Sequence, residues 1–69
     1  MARKDAIQVE GRVVEALPKR LFWVELANGH RLLAFVSAKN RRLAEGLAVG
    51  GVVRVEVSPF DLSKGRITR

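Results

Sequence analysis

From Ile7 onward, apolar and polar residues alternate. Ile7, Val9, Gly11 and Val13 fall on one side, and Gln8, Glu10 and Arg12 on the other. A period of two belongs to a strand with one buried face. Gly11 within this run predicts a bend or bulge of the kind that small barrels need to close. Val14 to Leu17 continue the strand with a local irregularity, and Pro18-Lys19-Arg20 turns the chain. A second strand covers about Leu21 to Leu26, with Phe22, Val24 and Leu26 on one face and Leu21, Trp23 and Glu25 on the other.

Ala27-Asn28-Gly29 is the clearest hairpin signal, with Gly29 suited to the positive φ of a bulge after a type I turn. A three-residue loop pairs Val24 with Leu32, Phe22 with Ala34, Trp23 with Leu33 and Leu21 with Phe35. A two-residue loop would shift this register by one. The longer loop is preferred because it keeps Val24, Leu32, Ala34 and Val36 on one core face. Ser37 is a candidate helix N-cap, Ala38 to Ala44 a short helix, and Glu45-Gly46 its end. Gly50-Gly51 turns the chain again, Val53, Val55 and Val57 alternate with Arg54 and Glu56, and Gly65 to Thr68 makes a short fifth strand with Ile67 inward. Ser58-Pro59 and Phe60-Asp61 read as the turn before it. The expected class is all-β, a five-stranded OB-fold barrel with one short helix between strands three and four. An SH3-like barrel is the nearest competitor, and the helix after strand three favours the OB-fold.

The 69 residues allow one domain, residues 1–69, with a modest core. There is no cysteine, so neither a disulfide nor a zinc knuckle stiffens it, and the thiol-free composition fits the cytoplasm. No apolar run approaches the roughly 20 residues of a membrane span, and no signal-peptide core follows the basic start. Charge sharpens the picture. Thirteen Lys and Arg against seven Asp and Glu give +6. Residues 1–36 carry six cations and four anions (+2), and residues 37–69 carry seven and three (+4). A basic excess on so small a domain predicts an acidic partner, most often nucleic acid.

Three groups are candidates for that contact. Lys39, Asn40, Arg41 and Arg42 place three cations in four residues on the expected helix, a compact phosphate-binding patch in which Asn40 can meet a base edge or sugar. The competing reading is a solvated helix face. On the outward face of strands two and three, Trp23, Leu33 and Phe35 lie together with Arg31 beside them. Such a group is a base-stacking platform; alternatively the rings pack under the loop after the helix, or one ring is core. Lys64, Arg66 and Arg69 form the third group, with Arg66 exposed because it alternates with Ile67. No catalytic constellation stands out: His30 is the single histidine, beside the hairpin turn, and the seven acids scatter over different strands. The chain reads as a non-enzyme without cofactor or metal.

The Met-Ala-Arg-Lys-Asp start, Val9 to Pro18, Phe22, Val24 to His30, Ser37, Lys39, and Val-Glu-Val-Ser-Pro-Phe-Asp-Leu-Ser-Lys-Gly-Arg-Ile from Val55 to Ile67 form a highly specific set of strings. Through them the chain resembles, over essentially its whole length, bacterial translation initiation factor one. The resemblance implies an OB-fold protein that binds small-subunit ribosomal RNA and a neighbouring ribosomal protein near the A site, alongside initiation factors two and three. It also implies RNA contacts by Lys39, Arg41, Arg42, Lys64 and Arg66, a block on premature tRNA entry, and a monomer when free. Trp23 stands where a basic residue is usual in that family, Phe35 where His is common, and Asn40 where Met is usual. Leu43 to Gly46 lacks the usual aromatic and arginine, and Gly51 replaces a usual Asp. The alternative function is a general single-stranded RNA binder or RNA chaperone of the cold-shock type, a class that stacks bases on clustered aromatics. A protein-interaction barrel, using Trp23, Leu33 and Phe35 as an apolar patch, is a third.

Overall fold

The structure, a computed structural model, describes residues 7–68. Five strands close into a barrel: β1 (Ile7–Leu17), β2 (Leu21–Leu26), β3 (Arg31–Phe35), β4 (Val52–Ser58) and β5 (Asp61–Ile67), in the order β1-β2-β3-β5-β4. A 3-10 turn (Ala38–Asn40) and a helix α1 (Arg41–Gly46) lie between β3 and β4. All strand pairs are antiparallel except β3 with β5, which run parallel.

The alternation read from the sequence sets the inside of this barrel. Val13, Phe22, Val24, Leu32, Ala34, Val36, Val53, Val55, Val57 and Ile67 form the buried core. The β2–β3 register is the one expected from a three-residue loop: Leu21 pairs with Phe35, Trp23 with Leu33 and Val24 with Leu32. The Leu26 amide donates to the His30 carbonyl, the Gly29 amide donates to the Leu26 carbonyl, and Gly29 takes φ 86°. The bulge that the sequence predicts near Gly11 is displaced. The break in the β1–β2 register lies between Val13 and Glu15, and Gly11 serves another purpose. It points inward, where a Cβ would lie 2.5 Å from Val24 Cγ1. Gly65 is its counterpart on β5, where a Cβ would lie 2.5 Å from Val55 Cγ1.

Two element boundaries differ from the sequence expectation. The continuous helix over 38–44 is replaced by the 3-10 turn followed by the six-residue α1, with Asn40 between them at φ −115° and ψ 31°. Ser37 precedes the first turn in extended conformation but makes no side-chain cap bond. The segment is held by packing: Leu43, Ala44 and Leu47 rest against the core while its cations stay out. The fifth strand begins four residues earlier than expected, at Asp61 in place of Gly65. Ser58 pairs with Asp61 across a tight turn at Pro59-Phe60, with a register shift between Val57 and Ser58. Polar, exposed Asp61 to Lys64 show no inward alternation, so their pairing leaves no periodic trace in the sequence.

At Gly65 the obstacle is steric, since the nearest atom belongs to a stiff β-branched side chain. Gly65→Ala is expected to destabilise the barrel by about 1–3 kcal/mol, the usual range for overpacking a core. Gly46→Ala, at a position with open space around it, is expected to be neutral or mildly stabilising. Urea unfolding of the two variants checks both; equal midpoints would remove the packing argument.

Candidate nucleic-acid interface

The register places the candidate side chains in rows across the outside of the barrel. Glu15, Trp23, Leu33 and Lys64 are consecutive partners across β1, β2, β3 and β5. The neighbouring row holds Leu21, Phe35, Arg66, Glu56 and Gln8. The outward apolar patch is therefore continuous with β5, which joins β3 only through three parallel pairs, Leu33 to Phe35 with Lys64 to Arg66. Trp23 is 36% exposed and Phe35 44%, with Leu33 half-buried between them. Neither ring is a core residue. Two exposed aromatics flanking a leucine on an open sheet face offer flat apolar surface to a ligand.

The cations divide into free and engaged ones. Lys39, Asn40, Arg41 and Arg42 are all exposed on the segment that leaves the end of β3, and Lys64 is exposed beside Leu33. Arg31 lies at the start of β3, 3.8 Å from Glu25 on β2, an exposed pair of little energetic weight. Arg66 departs from its expected exposure: it is half-buried, and its guanidinium donates to the Glu56 carboxylate at 2.6 Å. The difference arises because the β4–β5 register sets Glu56 directly across from it. Arg69 and the Met1–Asp5 start lie outside the described residues.

Sequence reading missed Arg20. Its backbone, like that of Lys19, is left-handed (φ 62° and 63°), a conformation costing a non-glycine residue roughly 1–2 kcal/mol. Two bonds to Val36 hold Arg20 there: the Val36 amide donates to its carbonyl at 3.0 Å, and its Nε donates to the Val36 carbonyl at 3.1 Å. Arg20 thereby reaches a groove of about 370 Å³ beside α1, floored by Leu17, Phe22 and Leu47 and also lined by Arg41. The turn signal at Pro18 is visible in the chain; the proximity of Arg20 to Arg41 is not.

The β4–β5 turn is stiffened locally. The Phe60 amide donates to Ser58 Oγ, and both the hydroxyl and the amide of Ser63 donate to the Asp61 carboxylate. These two bonds, the hydroxyl's first, hold the Asp61 carboxyl below the ordinary aspartate range, and the Lys64 cation acts in the same direction. His30 Nε2 lies 3.0 Å from the Leu62 carbonyl, tying the β2–β3 turn to β5. Among the described residues no three metal-ligating side chains converge, and no helix is long and apolar enough to cross a membrane.

A closed five-stranded barrel, with strand order 1-2-3-5-4 and a short helix between its third and fourth strands, is an OB-fold. A family model described as translation initiation factor 1A / IF-1 matches residues 1–69. The solution structure of translation initiation factor IF-1 from the Wolbachia endosymbiont, strain TRS, of Brugia malayi is similar to this chain at a TM-score of 0.76 and 41% identity. That match covers 96% of this chain and 78% of the other. The chain belongs to the translation initiation factor 1A/IF-1 family.

Because the Asp61 carboxyl is depressed in the folded state, its contribution to stability is present above the ordinary aspartate value. It is lost as pH falls through the depressed one. Asp61→Ala is therefore expected to lower the urea midpoint at about pH 7, with a gap to the unsubstituted protein that shrinks as the pH falls through the depressed value. A gap that stays the same size as the pH is lowered would show that the carboxylate charge is not what steadies the turn.

Proposed function

We propose that this chain acts in initiation as one OB-fold RNA-binding domain over residues 1–69. It binds the small ribosomal subunit near the A site through ribosomal RNA, beside a neighbouring ribosomal protein. There it assists initiation factors two and three and blocks premature tRNA entry. The observation that carries this reading is the family match over the full length of the chain. Its setting is the cytoplasm, where translation takes place, and its work is binding, not catalysis.

The geometry suits such a role. Exposed Lys39, Arg41, Arg42 and Lys64 are free to meet phosphates, with Asn40 among them able to reach a base or sugar. Arg31, Arg66 and Arg69 complete the proposed set of RNA-contacting residues. Trp23 and Phe35 supply surface for unstacked bases. In this chain two rings stand where the family usually has a basic residue and a histidine, so stacking offsets polar contacts that these positions no longer make.

Binding of vacant small subunits over a salt series, with and without initiation factors two and three, tests the reading. Saturable binding that weakens steeply with salt and strengthens with the other factors is expected. Equal binding to any unstructured single-stranded RNA, indifferent to those factors, would favour the general RNA-binder alternative. Within that assay Trp23→Ala is expected to weaken binding by about 1–3 kcal/mol, roughly 5- to 150-fold, without unfolding the protein. Unchanged affinity would remove Trp23 from the interface. Replacing Arg41 and Arg42 together with Gln should flatten the slope of log K against log salt by roughly 0.7 for each phosphate the variant no longer neutralises.

A further inference from the structure

The pair between Arg66 and Glu56 separates Arg66 from the other cations of this surface. Its 2.6 Å distance is that of a short charge-assisted hydrogen bond. The Glu56 side chain is only 12% exposed, against 35% for Arg66. The carboxylate therefore sits underneath and the guanidinium above it. Among the described residues Glu56 has no other cationic partner within salt-bridge distance. A phosphate that captured the guanidinium would have to approach a largely desolvated carboxylate of the same sign. It would also strip that carboxylate of its counter-charge, which is the expensive way to break a part-buried pair. Lys64, two residues earlier on the same strand and exposed, carries no such burden.

With its charge matched by Glu56 through one Nη2 hydrogen bond, Arg66 offers a ligand the face of a planar group beside its remaining N–H donors. In the β3–β5 register its neighbour on the outward side is Phe35, and Leu33 and Trp23 follow in the next row. Guanidinium planes and aromatic rings take nucleobase faces in single-stranded recognition. We infer that Arg66 is a stacking residue with its charge already matched by Glu56, extending the Trp23–Phe35 platform toward β4, and that it is not a phosphate contact. Glu56 acts as the positioning residue that keeps it so. This deepens the RNA-binding reading above and rests on it. It divides the basic residues into Lys39, Arg41, Arg42 and Lys64, which set the salt dependence, and Arg66, which contributes affinity without it.

The salt dependence of binding to vacant small subunits reads this division directly. Lys64→Gln is expected to flatten the slope of log K against log salt by roughly 0.7. Glu56→Gln/Arg66→Gln removes both members of the pair, leaves no unpaired carboxylate and keeps the side-chain shapes close. It is expected to lower affinity at every salt concentration with the slope unchanged. Glu56→Gln alone releases the guanidinium and is expected to steepen the slope by roughly 0.7. Circular dichroism melts of each variant confirm that the folded protein is being compared. Wild-type binding together with a double variant whose slope flattens as it does for Lys64→Gln would overturn the inference and leave the binding reading intact. Failure of the unsubstituted protein to bind small subunits would overturn both.

Discussion

The barrel interior is packed so tightly that two of its inward positions, Gly11 and Gly65, leave no room for a side chain. At each, a Cβ would lie 2.5 Å from a valine methyl group on the adjacent strand, Val24 on β2 for Gly11 and Val55 on β4 for Gly65. Everything else follows from that tightness. The remaining inward positions are mostly valine, with Phe22 as the one large ring. Close packing of this kind forfeits energy for any added or missing methyl group. It also fixes which residues point outward, because a strand that cannot slip by one residue cannot exchange its faces.

The outward face owes its chemistry to that fixed register. Trp23, Leu33 and Lys64 share one row and Phe35, Arg66 and Glu56 the next, because β5 lies parallel to β3 and antiparallel to β4. A shift of one residue along β5 would bury Arg66 and bring Gly65 outside. The core constraint at Gly65 and the ion pair at Arg66 are therefore two faces of one alignment. The helix segment is governed differently. With no buried residue of its own and no side-chain cap at either part, it is seated by Leu43, Ala44 and Leu47 and carries its cations as exposed cargo.

Membership of the translation initiation factor 1A/IF-1 family gives this surface its context. Free cations beside exposed rings, on a barrel with a net charge of +6, suit a polyanion whose bases are accessible. The strained Lys19-Arg20 turn sits at the other side of α1, where Arg20 and Arg41 border one groove. Backbone strain and cations thus occur together next to the helix segment, although they are far apart in the chain.

How much of this was legible beforehand depended on whether a feature is periodic. Alternation in Val9–Val13, Leu21–Leu26 and Val53–Val57 determined the core and the faces of β1, β2 and β4, while Ile7 at the start of β1 stays exposed, and Asn28-Gly29 determined the β2–β3 register. The exposure of the cations at Lys39, Arg41, Arg42 and Lys64 was legible, since charged side chains seek solvent. The start of β5 at Asp61 was not legible, because an exposed polar strand is defined by its hydrogen-bonded neighbour and not by its own pattern. The Arg66–Glu56 pair belongs to the same class, as does the groove that Arg20 and Arg41 both line. Each brings together residues well separated in the chain. Local sequence determined which residues are inward, turning or charged through backbone sterics and hydrophobic burial; only closure of the barrel decided which charges meet, because pairing across strands is a matter of distance in space.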